Sequence, residues 1–377
     1  MAASFPPPQP RVTVVLPVWN AGDYLAAAVE SIRAQTLADW ELLAIDEGST
    51  DGSRQTLDDF ARSDRRIIVT SRPNRGLAAT LQEGIEQARS GIVALMNADD
   101  ISHPDRLARQ LAFLERHPTV AALGTQTRLL VDDRATTIES RLPLSPEACR
   151  RFLPVAPPLA HPTVMLRREA VRAVGGYRPQ SYVEDYDLWL RLAEHHDLAN
   201  LPAALLDYRL HDGQFSSTRD EKVAVATLVV RAAAAQRRSG RPDPLDVASA
   251  DRATAAGLGI RVADIVAQVR SAALGRAEQV LAATGSCKRA ERELALLDDH
   301  WTAAADPRRW QAAHDWLAGR GLLARGDRLG ALRSLVKAAA ADPDLARRLA
   351  TAAIRRRRGR EGPAWLRGRP CPVATER

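Results

Sequence analysis

The chain has 377 residues, of which 45% are hydrophobic and 26% charged, and its formal net charge is +7. That length accommodates two domains, and the composition is that of a globular protein, which excludes a disordered or fibrous chain. No apolar run approaches the ~18 residues a bilayer crossing needs, and the first ten residues have neither the basic start nor the apolar core of a secretory signal.

Residues 1–10 read as a loose, proline-bearing lead-in. Val12 to Leu16 is a β-rich apolar run, followed by a helix with Leu25, Val29 and Ile32 on one face. Trp40 to Ile45 predicts a second strand, and Leu57, Phe60 and Ala61 mark a second helix. Ile67 to Thr70 is a third strand, Leu77 to Ala88 a third helix and Ile92 to Met96 a fourth strand. Strands separated by single helices require right-handed crossovers, so this part is α/β, a Rossmann-like, mostly parallel sheet with helices on both faces. Leu107, Leu111 and Leu114 stripe a further helix that stops at His117-Pro118. After Leu123 the pattern loosens among prolines, and a helix around Trp189 follows.

A second module begins near residue 216. From Ser216 onward there are 30 Lys+Arg against 18 Asp+Glu, whereas the preceding residues carry 23 against 28, and every Phe and Tyr lies at or before Phe215. The expected domains are 11–215 and an all-α, basic Ala/Arg-rich region at 216–377. Thr218 and Glu221 form a capping box for a helix to about Arg238. Later helices are expected at 261–284, 288–300, 308–324, 327–341 and 343–358, with Trp310 to Pro343 similar to one tetratricopeptide unit. Cys149, Cys287 and Cys371 lie far apart without metal-ligand spacing, which points to a reducing, cytoplasmic address.

The chemistry concentrates at the carboxyl ends of the predicted parallel strands, where open α/β sheets bind ligands. Pro17-Val18-Trp19-Asn20 follows the first strand, Asp46-Glu47-Gly48-Ser49-Thr50-Asp51-Gly52 the second, and Asn97-Ala98-Asp99-Asp100 the fourth. Adjacent carboxylates in one crevice repel unless a cation lies between them, and oxygen donors suit a hard ion such as Mg²⁺ or Mn²⁺. Helix capping competes for these residues; for Ser49 and Thr50 it is the preferred reading, and for Glu47 ligand contact is preferred.

Together with Pro104-Asp-Arg-Leu107, His161-Pro162, Gly175-Gly176-Tyr177, Glu184-Asp185-Tyr186-Asp187-Leu188-Trp189 and Tyr208-Arg209-Leu210-His211, these motifs resemble the family 2 glycosyltransferases over about residues 11–215. The resemblance implies the GT-A nucleotide-sugar-binding fold, an inverting mechanism and a divalent cation, Mg²⁺ or Mn²⁺. It implies that Pro17, Trp19, Glu47, Arg75, Asn97 and Asp99 bind the nucleotide sugar. It further implies that Asp99, Asp100 and His211 hold the metal, and that Asp185, flanked by Glu184, is the general base. Glu47 and Asn97 stand where relatives commonly carry Asp, and Leu81 where many carry Arg; Arg75 is the candidate replacement phosphate partner.

The expected partners are a nucleoside diphosphate sugar donor, UDP-linked, and a glycan or lipid-linked acceptor in surface polysaccharide synthesis. The basic region is expected to meet an anionic membrane at the inner face. Two other readings compete: a catalytically inactive nucleotide-sugar binder, and a basic adaptor for membrane or nucleic acid. Nucleic acid is the least favoured, since 50 of the 53 basic residues are Arg and reflect a compositional bias.

Overall fold

The computed structural model describes residues 9–131, 133–211, 221–284, 307–324, 327–342 and 345. They fall into two compact units that divide between Ile265 and Val266. The compositional change at residue 216 and this division are therefore different boundaries, because residues 221–265 go with the first unit.

Four parallel strands form one half of the sheet. β1 (Val12–Val18) and β2 (Trp40–Asp46) are buried almost throughout, as apolar runs covered on both faces must be. β3 (Ile67–Ser71) lies outside β2, and β4 (Ile92–Leu95) pairs with the other side of β1. The order is thus β3-β2-β1-β4. The chain winds outward through α1 (Tyr24–Arg33) and α2 (Ser53–Ser63), then returns through α3 (Leu77–Gln87). Right-handed crossovers put α1 and α2 on one face and α3 on the other. The reversal between β1 and β4 opens a crevice at their carboxyl ends.

The other half is mixed rather than parallel. After β5 (Ile101–Ser102) and α4 (Arg106–Arg116) come β6 (Val120–Val131), β7 (Arg134–Glu139) and α5 (Pro146–Phe152). β8 (Met165–Arg167) runs antiparallel to both β4 and β6, and β9 (Asp197–Leu210) is parallel to β6 and antiparallel to β5. The expected loosening after Leu123 is overturned here, since β6 and β9 are the longest strands, with 12 and 14 residues. The buried Gln126 of β6 finds internal partners: its Oε1 accepts from Leu142 N at 2.8 Å and Ser140 Oγ at 2.9 Å. Pro202 falls where the register skips from Thr125–Leu201 to Gln126–Ala204, the irregularity a proline in a strand demands.

α6 (Arg168–Ala173) and α7 (Glu184–Leu192) follow β8, and α7 sends Tyr186, Leu188, Trp189 and Leu192 into the core. α8 (Glu221–Arg238) packs on α7, with Arg231 donating to Tyr186 Oη at 3.0 Å and Arg237 to Glu194 at 2.8 Å. Thr218 of the expected capping box lies outside the described residues. α9 (Arg252–Gly257) was not expected; its cap is Asp251, which accepts from Thr254 N at 2.9 Å. α10 (Val262–Thr284) crosses the division between units.

In the second unit, α11 (Pro307–Ala324) and α12 (Arg328–Ala341) form a hairpin close to the expected spans. Gly319 makes it possible, because a Cβ there would lie 2.8 Å from Leu335 Cγ. The helices expected at 288–300 and 343–358 fall outside the described residues, apart from Leu345.

Candidate active site

The loops after β1 and β2 are laced together at the crevice. Asn20 N donates to Ser49 Oγ at 2.9 Å, and Asn20 Oδ1 accepts from Thr50 N at 2.8 Å. Ala21 N donates to Ser53 Oγ at 3.0 Å, and Gly22 N to Asp51 Oδ2 at 2.7 Å. Asn20 adopts a left-handed φ of 49° to make these bonds, as Asn can without large strain. Ser49 and Thr50 therefore tie loop to loop rather than cap α2, whose N-cap is Gly52.

Asp46 shapes the second loop from below, accepting from Ser49 N at 3.0 Å and Ser71 Oγ at 2.6 Å. Burial alone would raise its carboxyl, but these bonds hold it below the ordinary carboxylate range. Glu47 is buried; its Oε1 accepts from Thr80 Oγ1 and lies 3.8 Å from Arg72 Nη1. Burial raises its carboxyl despite Arg72. Pro17 is half-buried beside Ile45, whereas Trp19 is 61% exposed at the rim. Arg75 borders a cleft of about 300 Å³ that Gln82 and Tyr177 also line. Leu81 is a core residue of α3, so that position cannot present a side chain to a phosphate.

Asp99 and His211 come together across the crevice from β4, with His211 Nε2 3.0 Å from Asp99 Oδ2 and both side chains 20% exposed. Asp100 does not join them. It is fully buried, with Oδ1 accepting from Arg209 N at 3.0 Å and Oδ2 from Asn97 Nδ2 at 3.1 Å. Burial and the Asp99 charge push its carboxyl well above the usual range. Asn97 thus serves to fix the turn. Among the described residues, no three His, Cys, Asp or Glu groups cluster as a metal cage. The part-exposed Asp99 carboxylate nevertheless fits a hard ion such as Mg²⁺ or Mn²⁺, which takes one or two carboxylates and fills its other positions with further oxygen ligands.

Glu184 and Asp185 are the first two residues of α7, whose N-cap is Val183, so Asp185 is not the cap. Asp185 Oδ1 accepts from Tyr186 N at 2.7 Å. Burial, followed by the Asp185 charge, pushes Glu184 up to about 7. A carboxyl raised on folding lends stability that is fully present below its ordinary value and is lost as pH rises through the folded value. Glu184→Gln is therefore expected to raise Tm by ~2–4 °C at pH 8 and to leave it unchanged at pH 4, as differential scanning fluorimetry at both pH values would show. An equal gain at pH 4 would assign the effect to packing instead.

Several residues around the site belong to the motifs quoted above but had no role assigned to them from sequence. His161 Nε2 pairs with Tyr177 Oη at 3.0 Å, and burial lowers the imidazole below its ordinary value, with the Asp185 charge opposing. Arg209 Nε donates to Asp99 O at 2.7 Å, and its guanidinium pairs with Asp133. Strand alternation places Arg209 and His211 on one face, the one cue that could have paired them. Tyr24 touches both.

Residues 13–175 match the family described as Glycosyl transferase family 2. The chain is 35% identical over 190 residues to EpsE of Bacillus subtilis (strain 168), covering 49% of this chain and 67% of that protein. It is 33% identical over 187 residues to the amylovoran biosynthesis glycosyltransferase AmsE of Erwinia amylovora, covering 49% and 70%. Among solved structures it is similar to the mannosyltransferase PcManGT from Pyrobaculum calidifontis in complex with GDP-Man and Mn²⁺. That match has a TM-score of 0.49 and 19% identity, and covers 85% of this chain and 88% of the other.

Proposed function

The chain belongs to glycosyltransferase family 2, and from that premise we propose that it transfers a hexosyl group from a UDP-sugar to a glycan or lipid-linked acceptor, inverting the anomeric carbon. The observation that carries the reading is the Asp99–His211 pair at the carboxyl end of β4, beside the crevice where the strand order reverses.

In this proposal Pro17, Trp19 and Glu47 line the nucleoside pocket, with Glu47 offering a carboxylate to a base N–H. Asp99 and His211 hold Mg²⁺ or Mn²⁺, which when bound neutralises charge on the departing diphosphate. Asp185 takes the proton from the acceptor hydroxyl as its oxygen bonds to the anomeric carbon and the bond to the diphosphate breaks. A single displacement inverts that centre.

The name of AmsE supports polysaccharide synthesis as the setting. Among the described residues no helix is long and apolar enough to cross a membrane. The excess positive charge after residue 216 supports a cytoplasmic protein held peripherally at an anionic surface.

The test is release of nucleoside diphosphate from a panel of UDP-, GDP- and dTDP-sugars, with and without Mn²⁺. Stimulation by Mn²⁺ with one donor class is expected. No binding or turnover with any member would sink the proposal.

A further inference from the structure

Tyr24 opens α1 and takes no part in the chemistry above, yet its ring contacts two residues at the end of β9 and just beyond it. The Arg209 guanidinium sits over the ring, with Cζ 4.5 Å from its centroid. The His211 imidazole centroid is 4.8 Å away, with the planes inclined at 42°. His211 follows the last sheet pairing of β9, Leu210 with Val131, so the ladder does not set its ring orientation.

From these contacts we infer that Tyr24 is a positioning residue that holds His211 against Asp99 and, through Arg209, steadies the turn carrying Asp99. The inference rests on the metal role proposed for that pair. An imidazole can meet a cation only if its ring nitrogen points at it, and two free torsions oppose that. An aromatic ring packed against it at this distance removes much of this freedom. Arg209 extends the hold: its backbone N–H bonds Asp100 and its side chain bonds the Asp99 carbonyl, so one residue fixes both sides of the 97–100 turn. Arg209 at the face of Tyr24 is a cation–π contact, strengthened because its side chain is almost wholly buried.

Tyr24 also ties two parts of the site together. It stands two residues beyond the laced segment Asn20–Gly22, whose bonds to Ser49, Thr50 and Asp51 frame the nucleoside side. The rigid frame on that side thereby reaches the metal side through one aromatic ring. Removing the ring should loosen the metal pair and leave the nucleoside frame intact.

The experiment is titration of the full-length chain with Mn²⁺ followed by electron paramagnetic resonance, in saturating UDP and separately in GDP. Binding of UMP and GMP without metal is measured alongside by calorimetry. Tyr24→Leu is expected to weaken Mn²⁺ binding by ~10-fold or more, the usual cost of losing support behind a metal ligand, with monophosphate affinity within about twofold of wild type. Tyr24→Phe keeps the ring and should bind Mn²⁺ like the wild type.

Unchanged Mn²⁺ affinity in Tyr24→Leu overturns the role, as does a Phe variant as weak as the Leu variant. Equal losses of Mn²⁺ and monophosphate binding overturn it too, since the ring would then support the whole site. A wild-type protein that takes up no Mn²⁺ with either diphosphate would instead overturn the metal reading on which the role rests.

Discussion

Asp185→Asn is expected to abolish glycosyl transfer while leaving donor and metal affinity nearly unchanged. The substitution is isosteric, and the Asn oxygen can still accept the Tyr186 N–H that Asp185 now receives at 2.7 Å. What it cannot do is accept the acceptor proton as the new glycosidic bond forms. Loss of a general base typically costs ~10²–10⁴-fold in rate, and here it should appear in kcat with KM for the donor little moved. Single-turnover assays with labelled donor, together with calorimetric titration of the nucleoside diphosphate, separate the two quantities. If the variant keeps more than about a few per cent of turnover, the base lies elsewhere. Glu184 would then be the first candidate, because burial already places its ionisation at about 7.

Asp99→Ala should remove metal-dependent binding of the donor, whereas Asp100→Ala should chiefly lower stability. The two adjacent carboxylates have separate occupations. Asp99 meets His211 at the part-exposed edge of the crevice. Asp100 is buried and bonded to Arg209 N and Asn97, with the buried Arg106 guanidinium, pulled down to about 9 by burial, as a nearby countercharge. Losing Asp100 would strand a buried backbone N–H, at ~1–3 kcal/mol. Donor affinity measured with and without Mn²⁺, and Tm for each variant, resolve the pair. Equal donor affinity in both conditions for the wild-type protein would remove the basis for assigning Asp99 to a metal.

The legibility of these features in sequence followed how locally each was encoded. β1, β2 and β4 are continuous apolar runs bounded by turn residues, so the parallel half of the sheet and its loop-borne carboxylates could be read directly. β6 and β9 could not, because buried Thr125, Gln126, Thr127 and Asn200 spoil the apolar run, and Pro202 argues against a strand. Partners for several of their polar groups lie 13 to 57 positions away, such as Thr163 for Thr125 N and Pro143 for Asn200 Nδ2, which no local window contains. Asp99 and Asp185 were legible as motif members. That Asp100 turns into the core was not, since its partner Arg209 is supplied from 109 positions along the chain. Tyr24 and His211 belong to the same class of contact.

The lacing between the β1 and β2 loops has a kinetic consequence. Four hydrogen bonds, all between groups of the chain itself, join residues 20–22 to residues 49–53. Ordering each mobile side chain on association otherwise costs ~0.5–1.5 kcal/mol, and a wall that is already rigid avoids that cost. Under the proposed role, selection among donors by their bases then happens at encounter. A nucleoside of the wrong outline leaves before any loop can adapt to it, so competing nucleotides should differ in how often they are retained rather than in how slowly they are accommodated.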